Sequence, residues 1–122
     1  MSSRSETVVM CLCAEWCGVC RDYREGFEAL AAGRSDIVFH WIDIEDEPDW
    51  PETLEIESFP TVLIQRGDTV LYLGPTLPQH GHLERTLESL LEMDDATARS
   101  YAAANEERRS WQAAAAFRDK LR

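Results

Sequence analysis

From Thr7 to Ala14 the chain is almost unbroken in apolar character, and Val8 to Leu12 is predicted as a buried strand. The period then changes. Tyr23, Phe27 and Leu30 recur at helical spacing, which predicts a helix from Arg21 to Ala32 ending at Gly33 as a C-cap. Ile37 to Ile44 is a second apolar run of strand length. The acidic, Pro-punctuated stretch from Glu45 to Ser58 holds at most a short helix after Pro51. Thr61 to Gln65 and Thr69 to Leu73 flank Gly67-Asp68 as the two arms of a hairpin. Leu83, Leu87, Leu90 and Leu91 mark one face of a further helix. The order is β-α-β-(short α)-β-β-α, an α/β arrangement in which a parallel pair joined by a helix is followed by a hairpin and a covering helix.

Composition narrows the class. With 122 residues and 44% apolar side chains the chain suits one compact domain with an appendage. A net charge of −11 argues against nucleic acid or an anionic membrane surface as a partner. Between Asp43 and Glu57 eight carboxylates occur with no Lys or Arg, which reads as a solvated face, with a docking surface for a basic partner as the alternative. The short polar start and the lack of a long apolar run show neither a signal peptide nor a membrane span, so a cytoplasmic chain is expected. All four cysteines fall between Cys11 and Cys20 and cannot staple distant parts of a fold.

The chemistry concentrates in Trp16-Cys17-Gly18-Val19-Cys20, directly behind the first strand. Two thiols one helical turn apart have Cα atoms about 5 to 6 Å apart, within reach of a disulfide. A thiol at a helix N-terminus is favoured as thiolate by free N–H groups and the positive end of the dipole, which makes Cys17 the expected nucleophile. Cys20, a turn further in, would resolve a mixed disulfide by attacking the Cys17 sulfur.

Taken together, Ala14-Glu15-Trp16-Cys17-Gly18-Val19-Cys20, the segment Ser58-Phe59-Pro60-Thr61 and Gly74 resemble the active-site segment, cis-proline loop and groove glycine of the thioredoxin family. The resemblance runs from about Val8 to Met93. It implies a thioredoxin-like fold, a central mixed sheet flanked by helices, and a thiol–disulfide oxidoreductase that needs no bound cofactor and no metal. It further implies that Pro60 is cis, that Phe59 offers backbone groups to an extended guest strand, and that Trp16, Gly18, Val19, Phe59, Pro60 and Gly74 line the groove for protein disulfide substrates. A disulfide reductase would be a further partner.

Departures from the family pattern matter as much. Val19 stands where most members have proline. Cys11 stands where the family has a buried aspartate, and Trp41 where it has a lysine, so slow resolution by Cys20, or reliance on water, is expected. Cys11 and Cys13 alternate on one strand face as small core residues, with a third redox thiol or a metal site of Cys11, Cys13, Cys17 and Cys20 as alternatives. His80 and His82 read as solvent-exposed turn residues and His40 stands alone in a strand.

Both ends differ as well. The family's first strand and helix have no sequence to form them, which would leave a sheet edge and part of a face uncovered. A thioredoxin-like domain over 1–93 is followed by a C-terminal helical extension over 94–122, with an irregular apolar side of Tyr101, Ala104, Trp111, Ala115, Phe117 and Leu121. From Asp95 onward the net charge is +2, against −13 before it, which favours contact between the two parts. Packing on its own domain, a homodimer through the C-terminal helix, and docking to another protein are the arrangements considered. The rival function is a thioredoxin-fold binding module or assembly chaperone with incidental redox activity.

Overall fold

Alternation along the first strand decides the architecture. The computed structural model describes residues 6–14, 18–44, 50–51, 54, 56, 59–76 and 80–121. Within these, β1 (Thr7–Cys13) is buried at all seven positions. Val8, Met10 and Leu12 point to one face of the sheet, and Val9, Cys11 and Cys13 to the other. Such a strand has to be covered on both sides, which explains why its sequence is an apolar run and not an alternating one.

The sheet has four strands in the order β2-β1-β3-β4, where β2 is Ile37–Asp43, β3 is Thr61–Arg66 and β4 is Thr69–Pro75. β1 runs parallel to β2 and antiparallel to β3, so the sheet is mixed, as expected. The hairpin forms at the expected place. Gly67 takes φ 56°, a left-handed conformation that glycine adopts without steric cost. Ile44, expected within the second strand, lies just beyond it.

One face is packed by α1 (Gly18–Ala32) and α2 (His80–Leu91). Cys20, Tyr23 and Phe27 form the buried stripe of α1, joined by Leu83, Leu87 and Leu90 of α2. The helix starts at Gly18, before the expected Arg21, because Cys20 is the first member of its apolar stripe. Gly33 does close it, its N–H reaching the carbonyls of Ala29 and Leu30 at 3.3 and 3.2 Å. His80 and His82 belong to the first turn of α2, not to a loop, and His82 is half-buried. Of the acidic stretch little is described; Leu54 N–H closes a turn onto Pro51 O at 3.1 Å.

The opposite face is closed by the C-terminal segment. In place of the single added helix, the chain forms α3 (Asp95–Ala102), α4 (Glu106–Trp111) and a 3-10 segment, Gln112–Leu121. Two caps break the run: Asp94 accepts from Thr97 N, and Asn105, extended at φ −149° and ψ 170°, accepts from Arg108 N. Beyond α4 the tighter winding eclipses residues three apart, bringing Ala114 and Phe117 onto Val8, Met10, Leu12, Leu63 and Val70, with Trp111 against the same cluster. Phe117 meets Trp50 edge-on at 5.1 Å. Burying such side chains stabilises by about 1.5–3 kcal/mol each.

Arg66 connects the two parts. Almost wholly buried, it donates to the carbonyls of Leu90 at 3.0 Å and of Met93, and its Nε lies 4.0 Å from Asp95. A guanidinium on the last carbonyls of α2 satisfies them and complements the negative end of the helix dipole.

Candidate functional site

β1 ends in Cys13 and is followed by Ala14, both buried, and Gly18 is the first residue of α1. Trp16 and Cys17 lie outside the described residues. Cys20, one turn into α1, is 2% exposed and belongs to the cluster that also holds Cys11, Cys13, Tyr23 and Phe59. Gly18 and Val19 face outward, Val19 being 49% exposed. Cys20 is therefore covered, as expected of the second thiol.

The Phe59–Pro60 bond is cis, as the resemblance implied. Pro60 is buried and Phe59 half-buried, immediately before β3, and Thr76 N–H reaches Pro60 O at 3.1 Å. Gly74 lies on β4 opposite Val62. A Cβ there would stand 3.0 Å from the Tyr72 hydroxyl, which donates to Pro75 O at 2.8 Å, so the glycine makes room for that ring. Phe59, Pro60 and Gly74 are thus placed on the β3–β4 side of the sheet, and Cys20 on the β1–α1 side.

A cavity of about 450 Å³ opens where the carboxyl ends of β1 and β2 meet α1. It is lined by Cys13, Cys20, Arg21, Arg24, Trp41 and Asp43, with Ala14. The parallel register puts Cys11 beside Trp41 and Cys13 beside Asp43, so the position where a buried aspartate and lysine were expected to face each other holds a thiol and an indole. Arg24 sits over the Trp41 ring, its carbon 5.2 Å from the centroid, and its Nε donates to Glu28 at 2.9 Å. Arg21, Arg24 and Asp43 were not among the expected site residues. The available signal was register: two parallel strands that start together place Cys13 and Asp43 at the same end.

Beneath the cavity the thiols of Cys11 and Cys13 lie 3.7 Å apart, buried on the face covered by α1. Tyr23, from α1, has its phenol pushed up to about 12, chiefly by burial, with the nearby Cys11 and Cys13 adding to the rise and a Thr76 hydrogen bond opposing it. Among the described residues no group of three or more His, Cys, Asp or Glu is arranged to hold a metal ion.

The Thioredoxin family model matches residues 1–88. Among curated proteins the chain is similar to Putative thioredoxin 2 of Streptomyces coelicolor, 33% identical over 76 residues, covering 62% of this chain and 57% of that one. It is also similar to Thioredoxin-2 of Saccharomyces cerevisiae, 30% identical over 67 residues, covering 55% and 64%. It thus spans less than two thirds of the length of either relative. Among solved structures, Fasciola hepatica thioredoxin superposes with a TM-score of 0.64 at 20% identity, covering 70% of this chain and 82% of that one. A complex of ferredoxin:thioredoxin reductase with thioredoxin f2 gives 0.62 at 22% identity, covering 70% and 77%. These likenesses show the fold.

Proposed function

The chain belongs to the thioredoxin family, and from that premise we propose that it is a thiol–disulfide oxidoreductase exchanging a Cys17–Cys20 dithiol/disulfide with protein substrates. In this reading the Cys17 thiolate attacks a substrate disulfide and takes one sulfur into a mixed disulfide. Cys20 then attacks the Cys17 sulfur, the substrate leaves as a dithiol, and the protein is left with the Cys17–Cys20 disulfide. Two electrons have passed to the substrate. Trp16, Gly18, Val19, Phe59, Pro60 and Gly74 form the groove that receives it.

The observation that carries the reading is the position of Cys20: on the first turn of α1, 2% exposed, in one cluster with Phe59 of the cis Phe59–Pro60 bond. The oxidised protein is recycled by a disulfide reductase, in keeping with the reductase complex found for a thioredoxin of the same fold. We place the exchange in the cytoplasm. A homodimer through the C-terminal segment would leave the exchange site as it is, since Trp111, Ala114 and Phe117 pack on the opposite face of the sheet from Cys20.

An equilibrium redox titration with alkylation and mass mapping tests the proposal. Cys17 and Cys20 should titrate together as one reversible two-electron couple. Failure of these two to pair at any potential would overturn it.

A further inference from the structure

Resolution demands that Cys20 act as a thiolate, because the thiolate and not the thiol attacks a disulfide. Its proton has to go somewhere once the mixed disulfide has formed. Among the described residues the groups around it are few. β1 contributes Cys11 and Cys13, both thiols themselves, and α1 contributes Tyr23, Arg21 and Arg24. Tyr23 is a phenol that stays protonated at neutral pH, and the two guanidiniums have no proton-accepting capacity. β2 contributes Trp41 and Asp43. His40 lies on the other face of β2, by strand alternation.

Asp43 is therefore the carboxylate that shares the cavity with Cys20 among the described residues. Two features suit it to accept a proton, and a third favours the thiolate that is left behind. It stands at the carboxyl end of β2, in register with Cys13, at the level where β1 leads into the dithiol loop. The cavity between it and Cys20, about 450 Å³, is large enough for several water molecules, each taking about 30 Å³. The wall also carries two cations, Arg21 and Arg24, which favour negative charge in the space where the thiolate forms.

We propose that Asp43 is the proton acceptor for Cys20 during resolution, acting through water in this cavity. The step balances as follows. The Cys20 thiol gives its proton through water to the Asp43 carboxylate. The Cys20 thiolate forms a bond to Cys17 Sγ as the bond from Cys17 to the substrate sulfur breaks. The substrate sulfur leaves as a thiolate and recovers a proton from solvent, to which Asp43 returns its own. The proposal rests on the oxidoreductase reading above.

The test uses the reduced full chain and an aromatic disulfide reagent that releases one coloured thiolate on attack by Cys17 and a second on resolution by Cys20. Asp43→Asn should leave the first phase within about twofold and slow the second about tenfold or more near pH 7. Its second-phase rate should then climb steadily with pH, where the wild-type rate levels off. Asp43→Glu, which keeps the acceptor, should recover most of the rate with a displaced profile midpoint. Second phases in both variants that match the wild type in rate and pH profile would overturn the proposal, as would slowing of the two phases in equal proportion. A wild-type chain that releases one thiolate only, or a Cys20→Ser chain that still releases two at the wild-type rate, would instead overturn the oxidoreductase reading itself.

Discussion

Gln112 engages Val70 through both ends of its side-chain amide: Oε1 accepts from Val70 N–H and Nε2 donates to Val70 C=O, each at 2.8 Å. Val70 lies on β4, the outer strand of the sheet, where an unpaired donor and acceptor would otherwise face outward. The side chain reproduces one rung of a ladder. The pairing just inside is irregular, since Gln65 pairs with Val70 and Ile64 with Tyr72, leaving Leu71 as an extra residue. Gln65 itself is fully buried and donates to Ala115 O at 2.9 Å, so the 3-10 segment is bonded to two adjacent strands.

Replacing Gln112 by alanine breaks both of those bonds. The expected cost is about 1–3 kcal/mol, read as a lower urea midpoint with an unchanged slope. Amide exchange at Val70 should accelerate while the thiol titration stays as it was. Unaltered exchange at Val70 would show that the Gln112 contact does not hold this edge.

Phe117→Ala removes the largest side chain that the 3-10 segment places on β1. About 3–5 kcal/mol of stability should be lost, and Ala114→Leu, which overfills the same face, should cost about 1–3 kcal/mol. Chemical denaturation of the two variants checks both values; near-neutral effects would mean that the segment is peripheral to the core.

Arg66→Ala strips the carbonyls of Leu90 and Met93 of their buried donor and removes the guanidinium that lies 4.0 Å from Asp95. We expect a loss of about 3 kcal/mol and faster amide exchange in the last turn of α2 and the first turn of α3. Arg66→Lys should recover only part of this, because an ammonium cannot span two carbonyls as a planar fork does.

Tyr23 sets an alkaline limit. Its phenol is raised in the folded chain to about 12 from an ordinary value near 10, so the folded state holds this proton more tightly than the unfolded one. The stabilisation is complete below about pH 10 and is lost as pH rises toward 12. Tyr23→Phe should flatten that alkaline decline while changing neutral stability by no more than about 1 kcal/mol. Identical alkaline slopes in the two proteins would assign the decline to other groups.

The two-residue turn at Gly67-Asp68, the central apolar strand and the helix stripes were legible because local periodicity and burial agree there. The cis Phe59–Pro60 bond followed from the resemblance of Ser58-Phe59-Pro60-Thr61 to a known loop. The tail was not legible in detail. Trp111, Ala114 and Phe117 repeat every three residues, not every 3.6, and Ala114 is concealed in the run Ala113 to Ala116. Asp43 was absorbed into a count of eight carboxylates and read as solvated, whereas strand register makes it a wall of the cavity beside Cys20.

That Phe117 completes the layer begun by Val8 also governs how the protein is made. On the ribosome the sheet and its first two helices emerge early, but the cover of the Val8, Met10 and Leu12 face stays incomplete until residues 111–118 have been synthesised. Pairings so distant along the chain close slowly, and an open apolar face is a site for aggregation in the interval. The nascent protein should accordingly depend on holdase protection for most of its translation, and a stop codon before Trp111 should give a product that is degraded however complete its dithiol loop.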